Sequence, residues 1–242
     1  MQALEVTDLV KTFGTVKAVD GISFSVSQGE IFGLIGANGA GKTTALRIVA
    51  TLLLPSAGEV LVFNRDVVRD ADLVRRMISY LAEDAGTYRN LSGHEYLDIV
   101  SRLCYDLPEQ AGRAMDRATK LSGLGDRIHD RMRTYSKGMK RRIQIARALM
   151  TEPKLAILDE PTYGLDVSQS YRVRHMIRAS SVETGLTVLL SSHNMLEVEY
   201  LCDRVALVHE GKILEQGRTE DLVKKHGASN LEDVFMEVVA NA

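Results

Sequence analysis

Along the first 35 residues apolar and polar positions alternate in pieces, "LEVTDLV", "ISFSV" and "EIFGLI", separated by Gly-containing turns. That period predicts short strands. The pattern then changes. "KTTALRIVATLL" (42–53) carries apolar residues at helical spacing and stops before Pro55, predicting a helix, and "GEVLVF" (58–63) returns to strand. From about 84 to 150 the chain is rich in Arg and polar residues and predominantly helical in pattern. Two nearly continuous apolar runs follow, "LAILDE" (155–160) and "LTVLLSSH" (186–193), with a helical stretch between them. Such runs are what strands covered on both faces of a parallel sheet look like. "RVALVHEGKILEQG" (204–217) predicts a hairpin turning at Glu210-Gly211. The pattern therefore predicts an α/β core interrupted by a helical insertion, with no internal repeat, low-complexity tract or linker.

Composition narrows this picture only at its edges. A chain of 242 residues with 45% hydrophobic and 26% charged positions has the make-up of an ordinary globular protein with one substantial core. A net charge of −2 argues against a general nucleic-acid binder. Cys104 and Cys202 lack metal-ligand spacing, which fits a reducing compartment. The start, "MQALEVTD", has no apolar signal region, and the greasiest run, "IVATLLLP" (48–55), is too short to cross a bilayer.

Chemistry enters with "GANGAGKTT" (36–44), which fits G-x-x-x-x-G-K-[ST] between a strand and a helix. Residues Gly36, Ala37, Asn38, Gly39, Ala40 and Gly41 form a loop whose glycines let successive backbone N–H groups turn toward a phosphate, and the helix start adds partial positive charge. Lys42 is placed to reach the β- and γ-phosphates, the Thr43 hydroxyl to ligate Mg²⁺, and Thr44 to donate to the α-phosphate. A chance Gly-rich turn is the competing explanation, and the strand–loop–helix context speaks against it. "LAILDEPTYGLD" (155–166) then supplies Asp159 at the end of a buried strand, a carboxylate for the magnesium shell, and Glu160 as a candidate general base. His193, ending the next apolar strand, is a candidate γ-phosphate partner, with a purely structural His as the alternative.

"TYSKGMKRRIQIARALM" (134–150) is a basic helix start in a slightly acidic chain. With "LAILDEP", "GLD" and His193, its "YSKGM" resembles the signature sequence of the nucleotide-binding subunits of ATP-binding cassette (ABC) transporters, usually written L-S-G-G-Q. The order and spacing match over nearly the whole chain. The resemblance implies a single ABC ATPase domain over 1–242: a P-loop NTPase core with parallel sheet and N-terminal antiparallel β subdomain (1–83 and 151–219), a helical insertion (84–150) and a C-terminal helical extension (220–242). It implies that two subunits, expected to be two copies, stack head to tail around two Mg²⁺-ATP, with Ser136, Lys137 and Gly138 facing the nucleotide of the opposite subunit. Small residues at a helix start suit such a site. Arg141, Arg142 and Arg147 are left as surface or structural charges, since a nucleic-acid patch would call for interleaved aromatics.

By the same resemblance Phe13, in "KTFG", stacks on adenine, a core Phe being the alternative, and Asp166 organises the dimer interface. Two departures stand out. Glu83, in "SYLAEDAGTY", replaces the usual magnesium-contacting Gln, and Lys137 and Met139 replace Gly and Gln of the signature. Glu83 can still ligate the metal but adds charge beside the γ-phosphate. "YLAED", "YSKGM" and "NLEDVFMEVV" (230–239) resemble the branch of bacterial and archaeal drug, sodium and antibiotic exporters. That implies an ATPase on the cytoplasmic face of the cell membrane, paired with a separately encoded transmembrane permease. The alternative is a soluble ABC ATPase acting on ribosomes or nucleic acid; a single cassette without heptads or a Cys cluster speaks against it.

Overall fold

The computed structural model describes residues 1–241. Strands β1 (Gln2–Phe13), β2 (Val16–Ser27), β4 (Ala57–Val62) and β5 (Arg65–Asp66) form an antiparallel sheet in the order β2-β1-β4-β5. A second sheet gathers β3 (Ile31–Ile35), β6 (Ile78–Leu81), β7 (Leu155–Leu158), β8 (Thr187–Ser192), β9 (Arg204–His209) and β10 (Lys212–Gly217) in the order β10-β9-β3-β8-β7-β6. All its neighbours pair parallel except the edge hairpin β9–β10, which turns at Glu210-Gly211 with positive φ at both residues.

The period-two alternation of the second sheet divides its side chains between two cores. Ile31, Ile35, Ala156, Leu158, Val188, Leu190, Val205 and Leu207 pack with the helical layer. Phe32, Leu34, Leu155, Ile157, Leu189, Ala206 and Val208 pack on the other face, with the antiparallel sheet and the helix α1 (Lys42–Val49). Burial on both sides is why these strands are continuous apolar runs. The helices are α2 (Ala71–Arg75), α3 (Gly93–Cys104), α4 (Pro108–Ser122), α5 (Lys137–Leu149), α6 (Val167–Thr184), α7 (Met195–Leu201), α8 (Thr219–His226) and α9 (Leu231–Ala240). Among the described residues no helix is long and apolar enough to cross a membrane.

Two elements differ from the sequence expectation. The helix expected over 42–53 ends at Val49, because Thr51 takes a left-handed φ of 61° and Leu52 and Leu54 are exposed rather than packed. The short N-terminal strands are one pair of 12-residue strands. Register shifts, one of them at Asp8 (φ 46°), break the alternation that would have marked them as continuous.

Candidate functional site

A parallel sheet brings the carboxyl ends of its strands to one edge, and ligands of open α/β sheets bind there. In this chain that edge holds the loop 36–41 after β3, Glu83 shortly after β6, Asp159 and Glu160 after β7, and His193 after β8. Residues far apart in sequence thus meet because of strand order alone.

The loop is shaped for close approach. Gly39 and Gly41 have φ of 84° and 101°, and a Cβ on Gly41 would run into the Ala18 carbonyl. Lys42 is buried, with Nζ donating to the carbonyls of Gly36 (2.6 Å) and Ala37 (3.0 Å) and lying 3.6 Å from a Glu160 carboxylate oxygen. Burial pulls its ammonium below the ordinary lysine range, and Glu160 opposes that shift. The Thr43 hydroxyl donates to Asp159 Oδ1 at 3.0 Å. The same oxygen accepts from Ser191 at 2.6 Å, and Tyr80 donates to Oδ2 at 3.3 Å. Asp159 is 1% exposed, so these donors are what keep a carboxylate tolerable there.

Glu160 sits at φ 46°, a left-handed conformation that costs a non-glycine residue about 1–3 kcal/mol and persists only where its surroundings enforce it. Its N–H donates to Ser191 Oγ at 2.9 Å and its Oε2 lies 2.9 Å from His193 Nδ1. Its other oxygen, Oε1, is buried and accepts no hydrogen bond, an orphan beside Lys42. A carboxylate with one oxygen oriented by a histidine and the other unsatisfied is equipped to accept a proton from water.

Among the described residues no group of three His, Cys, Asp or Glu side chains could hold a metal alone. Magnesium does not need one: it takes one or two carboxylates, keeps water and completes its shell with substrate phosphate oxygens. Thr43 and Asp159, 3.0 Å apart at the loop's helix start, fit that donor set. Glu83 is exposed beside them, close enough for its charge to act on Lys42 and Arg141.

The other site residues lie further out. Ser136 caps α5, accepting from the Met139 N–H at 3.2 Å. Gly138 is buried against Gln169, leaving only 2.5 Å for an added Cβ. Lys137 folds over the Tyr163 ring at 5.0 Å, and Tyr163 meets His193 edge-on at 5.5 Å. Asp166 caps α6, accepting from the Gln169 N–H at 2.9 Å, which holds its carboxyl below the usual carboxylate range. Phe13 ends β1 half exposed beneath Lys11, so it is not a core residue.

Sequence reading missed four participants. Ser191 and Tyr80 hold Asp159, Tyr163 touches both Lys137 and His193, and Arg141, left open as a surface or structural charge, is structural and tied to the site. It is 6% exposed, donates to five carbonyls, and burial pushes its guanidinium down to about 10, still charged at neutral pH. Arg142 is buried too, donating to the Ser122 and Gly123 carbonyls. A hydroxyl pair ending an otherwise apolar strand was the one available hint, and it pointed at Ser191.

The sequence profile of the family described as "ABC transporter" matches residues 19–163. The chain belongs to that family. Its ligand is therefore ATP with magnesium, and its reaction is ATP hydrolysis. It is 39% identical over 233 residues to the daunorubicin/doxorubicin resistance ATP-binding protein DrrA of Streptomyces peucetius, covering 95% of this chain and 69% of that one. To the bacitracin transport ATP-binding protein BcrA of Bacillus licheniformis it is 36% identical over 223 residues, covering 92% and 72%. Among solved structures, an ATP-binding subunit of an ABC transporter superposes with a TM-score of 0.85 at 26% identity, covering 98% and 99% of the two chains. CbiO1 of Clostridium perfringens, part of the transporter complex cbiONQ, gives 0.84 at 27% identity over 93% and 92%. The ABC family thus accounts for both sheets and the helical layer.

Proposed function

We propose that this chain is the ATP-hydrolysing subunit of an exporter, working as a homodimer on the cytoplasmic face of the membrane against a separately encoded permease. The observation that carries the hydrolytic part of the proposal is the meeting of Lys42, Thr43, Asp159, Glu160 and His193 at one sheet edge. In this reading Gly36 to Gly41 and Lys42 to Thr44 bind the phosphates, and Thr43, Asp159 and Glu83 hold the magnesium. Bound there, the metal supplies charge neutralisation of the phosphates. Glu160 takes the proton of the attacking water at Oε1, and His193 fixes the carboxylate through Oε2. Phe13, exposed at a strand end, stacks on adenine.

Ser136, Lys137 and Gly138, at the start of α5, serve the nucleotide of the opposite copy, and Asp166 holds the turn that meets it. The division into a core of 1–83 and 151–219, a helical insertion of 84–150 and a C-terminal extension of 220–242 belongs to the same proposal. The names of DrrA and BcrA, a resistance and a transport protein, support export over action on ribosomes or nucleic acid. Affinity purification of the tagged chain from its native membranes tests this. A polytopic chain in near-equal amount is expected; recovery with ribosomes or nucleic acid instead would overturn it.

A further inference from the structure

Helix α5 is capped by Ser136, yet it also reaches back into the site of its own chain. Arg141, on α5, spends all five guanidinium N–H groups on backbone carbonyls. Nε donates to Pro161 (2.8 Å), and one terminal nitrogen donates to Asp159 (2.8 Å) and Glu160 (2.6 Å). The other donates to Ala82 (3.0 Å) and Glu83 (3.3 Å). Among the described residues Arg141 has no carboxylate within ion-pairing distance.

Its neighbours on the same helix face continue the pattern. Gln144, three residues on, donates to the carbonyls of Ala85 and Gly86, and Arg147, three further, reaches that of Tyr80 at 3.5 Å. The segment 80–86 is therefore laid along α5 by its backbone. The left-handed Glu160, whose conformation needs enforcing, has its carbonyl and those on either side gripped by the same guanidinium.

We propose that Arg141 is a positioning residue: it clamps the backbones of Glu160 and Glu83 to the signature helix, so that the hydrolytic carboxylate follows where that helix goes. The inference rests on the proposed role of Glu160 and goes beyond it by linking the element that meets the opposite subunit's nucleotide to the base of its own. Lysine cannot replace the clamp, since an ammonium has three donors and no planar fork.

The test compares Arg141→Ala and Arg141→Lys with the parent in the full-length chain, measuring steady-state ATP hydrolysis, affinity for a fluorescent ATP analogue, and melting temperature. Misplacing a reacting group by an ångström costs roughly a hundredfold. The expected result is a kcat reduced by about that factor in both variants, with nucleotide affinity within about threefold of parent. Guanidinium ion at low millimolar concentration should restore part of the turnover of Arg141→Ala and none of Glu160→Gln. Should Arg141→Ala aggregate, Arg141→Lys decides on the kcat-against-affinity split alone. Parental turnover overturns the clamp. So does loss of affinity and melting temperature in step with kcat, as does failure of guanidinium to rescue a folded Arg141→Ala. Glu160→Gln in parallel separates the two readings. Parental hydrolysis there removes Glu160 as the base, whereas slow Glu160→Gln with unaffected Arg141 variants removes only the clamp.

Discussion

Replacing Ser136 by Asp keeps a helix cap and adds a charge, which separates the local role of this residue from its proposed role across a dimer. Ser136 accepts the Met139 N–H at 3.2 Å at the start of α5. Asp caps about as well as Ser, whereas Ala loses about 0.5–2 kcal/mol. For a domain of this size each kcal/mol moves the melting temperature by about 2–4 °C. Ser136→Asp should therefore melt within about 2 °C of the parent. If α5 faces the triphosphate of a second copy, the new carboxylate meets like charge. At a separation of about 5 Å and an effective dielectric of about 20, each pair of unit charges repels by about 3 kcal/mol. A dimer of two copies carries two such sites, so the total of about 6 kcal/mol corresponds to roughly a ten-thousandfold weaker ATP-dependent dimer. Light scattering of Glu160→Gln and of Ser136→Asp/Glu160→Gln, across protein concentration with magnesium and ATP, reads this directly. Ser136→Ala/Glu160→Gln serves as the control, with a lower melting temperature but a dimer that still forms. A Ser136→Asp protein that dimerises at the parental concentration would refute the placement of this helix against nucleotide.

Two further outcomes follow from the site. Lys42→Ala removes the buried cation at the loop, and losing hydrogen bonds from a charged group at about 1.5–3 kcal/mol should weaken ATP binding by roughly ten- to a hundredfold or more; an unchanged fluorescence titration would exclude the assignment. Asp166 has its carboxyl lowered from 3.8, first by the Gln169 N–H and then by the Ser168 hydroxyl. Its stabilising contribution is therefore present above that value and lost as pH falls through the lower folded-state value. Asp166→Asn, also a good cap, should differ from the parent in melting temperature near neutral pH and converge with it in acid; a constant gap across the acid range would refute this.

Much of the site was legible because its chemistry is local in sequence. The loop 36–44, the Asp159-Glu160 pair, the signature-like stretch at Ser136 and the "GLD" ending in Asp166 each announce themselves within a few residues. Contacts closed by the sheet were not legible. Ser191 reaches Asp159 from a neighbouring strand, and Arg141 reaches carbonyls 18 to 59 positions away, with backbone acceptors that leave no trace in side-chain pattern. The basic helix start left a surface and a structural role equally open because charge usually is exposed; five carbonyls made burial possible here. The long N-terminal strands were obscured by register shifts for a similar reason, since a bulge erases the alternation on which strand reading depends.

The central claim is that Glu160 is the base of an ATPase whose site closes around nucleotide. The measurement that tests it most directly is hydrolysis by Glu160→Gln, with ATP affinity and dimer mass read on the same sample. General-base loss predicts turnover reduced by roughly 10²–10⁴-fold while ATP still binds and a long-lived dimer accumulates. Turnover within about threefold of the parent, with ATP binding intact, would contradict it.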